Sequence, residues 1–244
     1  MKISFSGVWD DTVRLLRANA SLFIAIAGVF LFLPSLILGY VAPQPTGGAD
    51  GPDGAALANY FTENWKLLLL VNVIGFVGSL ALLILALDQS RPTVGGAIRG
   101  ALVLLPTYFL TGILSFLLIG IASIAFILPG LYLIGRLATA GPVIVAENRR
   151  NPFDAIGRSF AVTKGNGWAN VGLILIVVIT FWVLSMAATV VFGSIFLLLD
   201  RTAGIGGVGA LLLLILQGII GATFNVVLVL LLASLYRRLV QTQP

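Results

Sequence analysis

The chain has 244 residues, 59% of them hydrophobic and only 9% charged, with a formal net charge of +5. Soluble domains carry about 25% charged residues, so this composition excludes a water-surrounded globule and puts lipid around most of the chain. The absence of cysteine and histidine excludes disulfides, thiol chemistry, haem or zinc sites built on those residues, and histidine acid–base catalysis.

Lipid offers backbone N–H and C=O groups no partners, which leaves helices or closed barrels. A barrel needs short segments that alternate apolar and polar. Here the apolar runs are long and unbroken, as in LLLLVNVIGFVGSLALLILAL, and they predict helices.

In chain order, Ser4–Asn19 comes first. Phe5, Val8, Thr12, Leu15 and Leu16 share one helical face, and Asp10, Arg14 and Arg17 lie on another. That pattern predicts an amphipathic helix in the membrane interface. A first membrane helix is expected over Ser21–Tyr40. Its length and the acidic residues Asp10 and Asp11 ahead of it argue against a cleaved signal peptide. Val41–Asn64, rich in Pro, Gly and Asp, reads as a loop. A second helix covers Trp65–Leu87, followed by a polar stretch, Asp88–Arg99. Thr93–Leu102, with Ile98 and Arg99, is a weaker amphipathic segment.

The run Ala101–Ala146 carries one charge, Arg136, and is long enough for two crossings. Their turn falls between Ile119 and Gly130; Pro129-Gly130 is either that turn or a break early in the fourth helix. Within the polar Glu147–Gly167, Pro152–Lys164 is again amphipathic, with Phe153, Ile156 and Phe160 opposite Asp154 and Arg158. Asp10/Arg14 and Asp154/Arg158 have the i,i+4 spacing of helical ion pairs. A fifth helix over Trp168–Leu199, a glycine-rich turn over Asp200–Gly209 and a sixth helix over Ala210–Leu235 complete the chain, ending at Arg237 and Arg238.

The expected fold is therefore an all-α polytopic membrane domain spanning residues 1–244. It has about six transmembrane helices and short amphipathic interfacial helices on the cytoplasmic side. With both termini inside, Lys2, Arg14, Arg17, Arg91, Arg99, Arg149, Arg150, Arg158, Lys164, Arg237 and Arg238 are inside, against Lys66 and Arg201 outside. The positive-inside rule thus places both termini in the cytoplasm and explains the net charge. No basic run interleaved with aromatics suggests nucleic-acid binding. The chain also reads as three units, 4–91, 92–151 and 152–244, each an interfacial helix followed by two membrane helices, with the outer loop 41–64 inside the first. Such repeats occur in transport folds. Equally, any cytoplasmic linker between hairpins tends to be short, basic and amphipathic.

Arg136 is the sharpest single residue, because a charge inside the bilayer costs about 2.5–3.5 kcal/mol on insertion scales. Two readings stand: contact with a lipid phosphate or anionic substrate, shared with Arg158 and Lys164, or an internal partner for Glu147, Asp154 or helix C-terminal carbonyls. Asn72, Gln217 and Asn225 lie inside membrane helices, where such amides either line a polar path or supply interhelical hydrogen bonds. Trp65, Trp168 and Tyr236 sit at expected interfaces, as anchors. No acid pair or nucleophile motif forms a catalytic constellation.

Leu128–Phe160, LPGLYLIGRLATAGPVIVAENRRNPFDAIGRSF, and the adjoining AVTKGNGW, Ala161–Trp168, resemble a bacterial family. This is the membrane domain found fused to some glycerophosphodiester phosphodiesterases, together with its stand-alone relatives. The residues that carry the resemblance are Pro129, Gly130, Tyr132, Arg136, Pro142, Val143, Glu147, Arg158, Ser159, Thr163, Lys164, Gly165 and Trp168. It covers about 40 residues. It implies a membrane module whose hydrolase activity resides in a separate soluble domain, with chemistry that a histidine-free chain cannot run. The expected function is a non-enzymatic protein of the bacterial cytoplasmic membrane that contacts phospholipids or organises the membrane, with no cofactor. A small transporter, and a homo-oligomeric or accessory subunit of a larger membrane complex, are the alternatives.

Overall fold

The computed structural model describes residues 4–45, 53–88, 90, 92–203 and 207–241. Its elements are α1 (Phe5–Ala18), α2 (Ala20–Val41), α3 (Gly54–Leu87), α4 (Val94–Ala125), α5 (Ile127–Leu137), α6 (Ala140–Ala146), α7 (Pro152–Val162), α8 (Gly167–Ala203) and α9 (Val208–Gln241), with no strand among the described residues. Six spans are long and apolar enough to cross a membrane: α2, α3, α4, α5–α6 together, α8 and α9. The chain is an all-α, multi-pass membrane protein.

Side chains start several helices where the sequence places cap residues. Asp53 accepts from the Ala55 N–H (3.2 Å), Thr93 from Gly96 (3.2 Å) and Asn151 from Phe153 (3.0 Å), with Pro152 at the first helical position. Within α2, Gly28–Phe32 widens into a π turn immediately before Leu33-Pro34. Proline cannot donate to the carbonyl four residues back and its ring crowds it. The wider turn absorbs that conflict.

Several expectations need correction. The expected outer loop ends early, because α3 begins at Gly54 rather than Trp65. The Tyr60 hydroxyl, one and a half turns into α3, donates to the Ala42 carbonyl (3.2 Å) and ties the loop's two ends together. Thr93–Leu102 is no separate interfacial helix; it is the first part of the continuous α4, since no residue there breaks the run. The α4–α5 turn is a single extended residue, Phe126 (φ −158°, ψ 143°). Pro129-Gly130 is therefore neither the turn nor a break, and sits in the first turn of α5. A Cβ on Gly130 would lie 1.9 Å from the Ser123 hydroxyl oxygen, so glycine permits this close hairpin. The actual break in this span comes later, at Ala138 and Thr139, between α5 and α6. At its other end α9 runs on through Arg237 and Arg238 to Gln241. Of the expected turn Asp200–Gly209, residues 204–206 lie outside the described residues, and helix covers the chain up to Ala203.

The helices α3, α4, α5, α8 and α9 form a ring in which each packs on the next and α9 returns to α3, with α2 laid across the α3–α9 seam. The short α6 packs against α3, α4 and α9, and α7 closes beneath it. Burial is concentrated at the end of the bundle that carries the termini. In α3 the buried side chains run from Val77 to Ala86, apart from Tyr60. In α9 they run from Val226 to Leu239, apart from Gly209. Leu80, Leu82, Ile144, Leu230, Leu231 and Leu235 form the densest part, together with Phe23 and Val8.

The two amphipathic helices are built into this core. In α1, Val8 and Thr12 are buried. Asp11, not Asp10, makes the ion pairs, with Arg14 (3.3 Å) and with Arg238 of α9 (2.5 Å). In α7 the buried face is Ala155, Ser159 and Val162, while Phe153 is exposed. Small side chains allow close approach to α4 and α6, which sends the bulky phenylalanine outward. Asp154 does not pair with Arg158, because Glu147 takes that guanidinium.

Candidate functional site

Two polar clusters stand at the terminus-bearing end, joined through α7. The first surrounds Arg136, in the last turn of α5. Its Nη2 donates to the Phe160 carbonyl (2.7 Å), near the C-terminus of α7, and its guanidinium lies 5.1 Å from the Phe160 ring and 5.9 Å from the Tyr132 ring. A cation on a helix C-terminal carbonyl is favoured by the exposed C=O groups there. The Arg136 carbonyl in turn accepts from Ser159 Oγ (2.8 Å) and Thr163 Oγ1 (3.1 Å). Thr139 and Ser159 share a hydrogen bond of 2.9 Å, and the Asn170 amide donates to the Gly135 carbonyl (3.0 Å). These partners satisfy backbone carbonyls that the α5–α6 break leaves without a helical donor.

Glycines make this junction possible. A Cβ on Gly135 would lie 2.2 Å from the Gly167 carbonyl oxygen, and one on Gly167 would lie 2.5 Å from the Tyr132 ring. Tyr132 and Trp168 pack with ring centroids 5.5 Å apart. Gly165 turns the chain from α7 into α8 with φ +80°.

The second cluster centres on Glu147, just past α6. Asn148 adopts φ 47°, and the Arg149 N–H donates to the Ile144 carbonyl (3.1 Å). This left-handed helix end sets Glu147 and Arg149 side by side. Arg149 Nε donates to Glu147 Oε2 (2.7 Å); Arg158 Nε (2.8 Å) and the Tyr236 hydroxyl (3.1 Å) donate to Oε1. Partial burial pushes the Glu147 carboxyl up. Hydrogen bonds from Arg158, Arg149 and Tyr236, with the Arg158 charge, together outweigh it and hold the group below its ordinary value. Tyr236 is thus more than an interfacial anchor.

Beside this cluster lies a cleft of about 670 Å³ between the ends of α3, α4, α6 and α9. Its floor is apolar, formed by Ile84, Leu104 and Val145, and its polar groups are Asp88, Tyr236, Arg237 and Gln241. Gly96 and Gly100 of α4 line one wall, and at Gly100 the missing side chain lets α4 pack on Ile84, which an added Cβ would meet at 3.0 Å. Arg237 donates to the Ala86 carbonyl at the end of α3. A guanidinium has five N–H donors, so this bond leaves donors for the cleft.

The structure brings together Tyr132, Arg136, Ser159, Thr163 and Trp168 in the first cluster and Glu147 and Arg158 in the second. Pro142 is buried in α6, whereas Lys164 is exposed beyond α7. It does not bring the intramembrane polar residues together. Asn225 accepts from Ser79 Oγ (3.2 Å), linking α9 to α3. Asn72 is exposed and bonds its own helix at Leu68 (2.8 Å). Gln217 is exposed, and Arg136 is held by Phe160 at the other end of the bundle.

Sequence reasoning missed Asp11, Thr139, Asn170 and the cleft residues Asp88 and Arg237. Arg237 stood out only as a basic helix end, and nothing in spacing alone ties it to Asp88, which follows the end of α3. Among the described residues, no cluster of acids could hold a metal ion. Compared with protein-family models, with curated proteins and with solved structures, the chain matches none.

Proposed function

We propose that this chain is a non-enzymatic protein of the bacterial cytoplasmic membrane that holds a phospholipid headgroup at its inner face. The observation that carries this reading is the cleft at the terminus-bearing end, which sets the Arg237 guanidinium and the Asp88 carboxylate over an apolar floor. A phosphate matches the guanidinium, and an acyl chain matches Ile84 and Leu104. Arg14, Arg17, Arg99, Arg150 and Lys164 are exposed on the same end, which supports a cytoplasmic placement by the positive-inside rule and contact with anionic lipid.

Arg136 and Arg158 serve this reading by building the site's frame, since internal carbonyls and Glu147 occupy them. The resemblance of Leu128–Trp168 to the membrane domain of glycerophosphodiester phosphodiesterases fits a module that handles lipids without hydrolysing them. The test is the lipid retained by detergent-purified protein, parent against Arg237→Ala and Asp88→Asn. Arg237→Ala is expected to lose phospholipid while staying monodisperse, whereas Asp88→Asn, which removes a charge that repels phosphate, is expected to keep it. Unchanged retention in Arg237→Ala overturns the reading.

A further inference from the structure

The cleft beside Glu147 holds two opposite charges that do not neutralise each other. Among the described residues that line it, Asp88 and Arg237 alone are charged. They make no ion pair with each other; the ion pairs among the described residues join Asp11 and Glu147 to their arginines. Backbone groups at the end of α3 hold each of the two separately. Arg237 donates to the Ala86 carbonyl, and Asp88 Oδ1 accepts from the Ser90 N–H (2.8 Å). That turn uses one of the two carboxylate oxygens, and the bond to Ala86 uses few of the five guanidinium N–H donors. The neighbouring Glu147 is no rival for a cation, because Arg149 and Arg158 neutralise it and the Tyr236 hydroxyl is spent on it.

We propose that the cleft selects a phospholipid with a primary-amine headgroup, its phosphate on Arg237 and its ammonium on Asp88. This rests on the headgroup reading above and adds the chemical class of the headgroup. Charge decides between the classes. An anionic lipid with a glycerol headgroup offers a phosphate to Arg237 but brings a second negative group near Asp88 with no cation to offset it. A primary ammonium carries three N–H donors and makes charge-assisted hydrogen bonds to a carboxylate. A trimethylammonium headgroup has no N–H to donate and is recognised instead by aromatic cages. Among the described lining residues the one aromatic is Tyr236, too little for a cage.

The full protein in detergent is incubated with an equimolar mixture of phosphatidylethanolamine and phosphatidylglycerol of matched acyl chains, and the retained lipid is extracted and counted by class. The amount retained tests the headgroup reading, and the class ratio tests the present proposal. The parent is expected to enrich the ethanolamine lipid about two- to fivefold over the mixture, the range of a partly exposed ion pair. In Asp88→Asn the amide oxygen can still accept from Ser90, so the turn is kept; this variant is expected to retain as much lipid, at the ratio of the mixture. A parent ratio equal to that of the mixture, or an enrichment that survives Asp88→Asn, overturns the proposal and leaves the headgroup reading standing. Unchanged retention in Arg237→Ala overturns the headgroup reading, and the proposal with it. Should Asp88→Asn fail to fold, the parent decides with an equimolar mixture of phosphatidylethanolamine and phosphatidylcholine: enrichment of the ethanolamine lipid supports recognition of the N–H donors, and equal retention overturns it.

Discussion

The Tyr236 hydroxyl of α9 donates to Glu147 Oε1 across 3.1 Å, joining residues 89 positions apart in the chain. The same oxygen accepts from Arg158 of α7. One carboxylate therefore ties together the end of α6, the middle of α7 and the end of α9, and Tyr236 also forms a wall of the cleft. Removing that carboxylate leaves two guanidinium groups without their acceptor. Glu147→Gln is expected to destabilise the protein by about 1–3 kcal/mol and Tyr236→Phe by about 1 kcal/mol, read as chemical or thermal unfolding in detergent. Equal stability of Glu147→Gln and the parent would show that the network carries no weight.

The same site gives a pH dependence with a definite sign. Because the folded carboxyl lies below its ordinary value of 4.5, the fold favours the charged form. Its contribution is complete above pH 4.5 and is lost as pH falls through the lower folded value. Melting temperatures measured down through the acid range should fall less steeply for Glu147→Gln than for the parent. Parallel curves would remove Glu147 from the explanation.

Arg136 and Lys164 differ in what holds them. Arg136→Met loses the bond to the Phe160 carbonyl and both ring contacts, and is expected to lose about 1–3 kcal/mol. Lys164→Ala, at an exposed position, should stay within about 0.5 kcal/mol of the parent. Unfolding midpoints of the two variants settle the comparison, and the reverse ranking would contradict the junction described here.

Close backbone approach makes Gly135 intolerant. A methyl group there would meet the Gly167 carbonyl oxygen at 2.2 Å, a backbone atom that cannot swing away. Gly135→Ala is expected to cost about 2–3 kcal/mol and to lower the yield of folded protein. At Gly28 an added Cβ meets nothing within 4 Å. Gly28→Ala is therefore expected to be neutral within about 1 kcal/mol, and an equal loss at both glycines would argue against the α5–α8 crossing.

Ser79 and Asn225 supply an interhelical hydrogen bond between α3 and α9. Double-mutant cycles with Ser79→Ala and Asn225→Leu should give a coupling of about 0.6 kcal/mol. A coupling indistinguishable from zero would mean that the two helices are held by packing alone.

Much of this was legible in the residue order. Continuous apolar runs force helices, because a lipid-embedded backbone must satisfy its own hydrogen bonds. Run length then sets the number of crossings, and the six spans lie close to where they are expected. The reading of Arg136 as a partner for helix C-terminal carbonyls agrees with its bond to Phe160. Helix ends were read less well. At Gly54 and Val94 the helices start before the apolar run does, since polar residues continue a helix as readily as they leave it.

Partners were decided by tertiary structure. Local spacing offers Asp10/Arg14 and Asp154/Arg158, pairs worth only a few tenths of a kcal/mol on an exposed helix face. The fold instead presents Arg238 to Asp11 and Arg158 to Glu147, where partial burial weakens the competition from water. The cleft with Asp88 and Arg237, and the Ser79–Asn225 bond, exist only once helices far apart in sequence are set side by side. Hydrophobicity is a property of each segment and survives in the sequence, whereas which polar group meets which depends on helix rotation and crossing, and these arise only from packing.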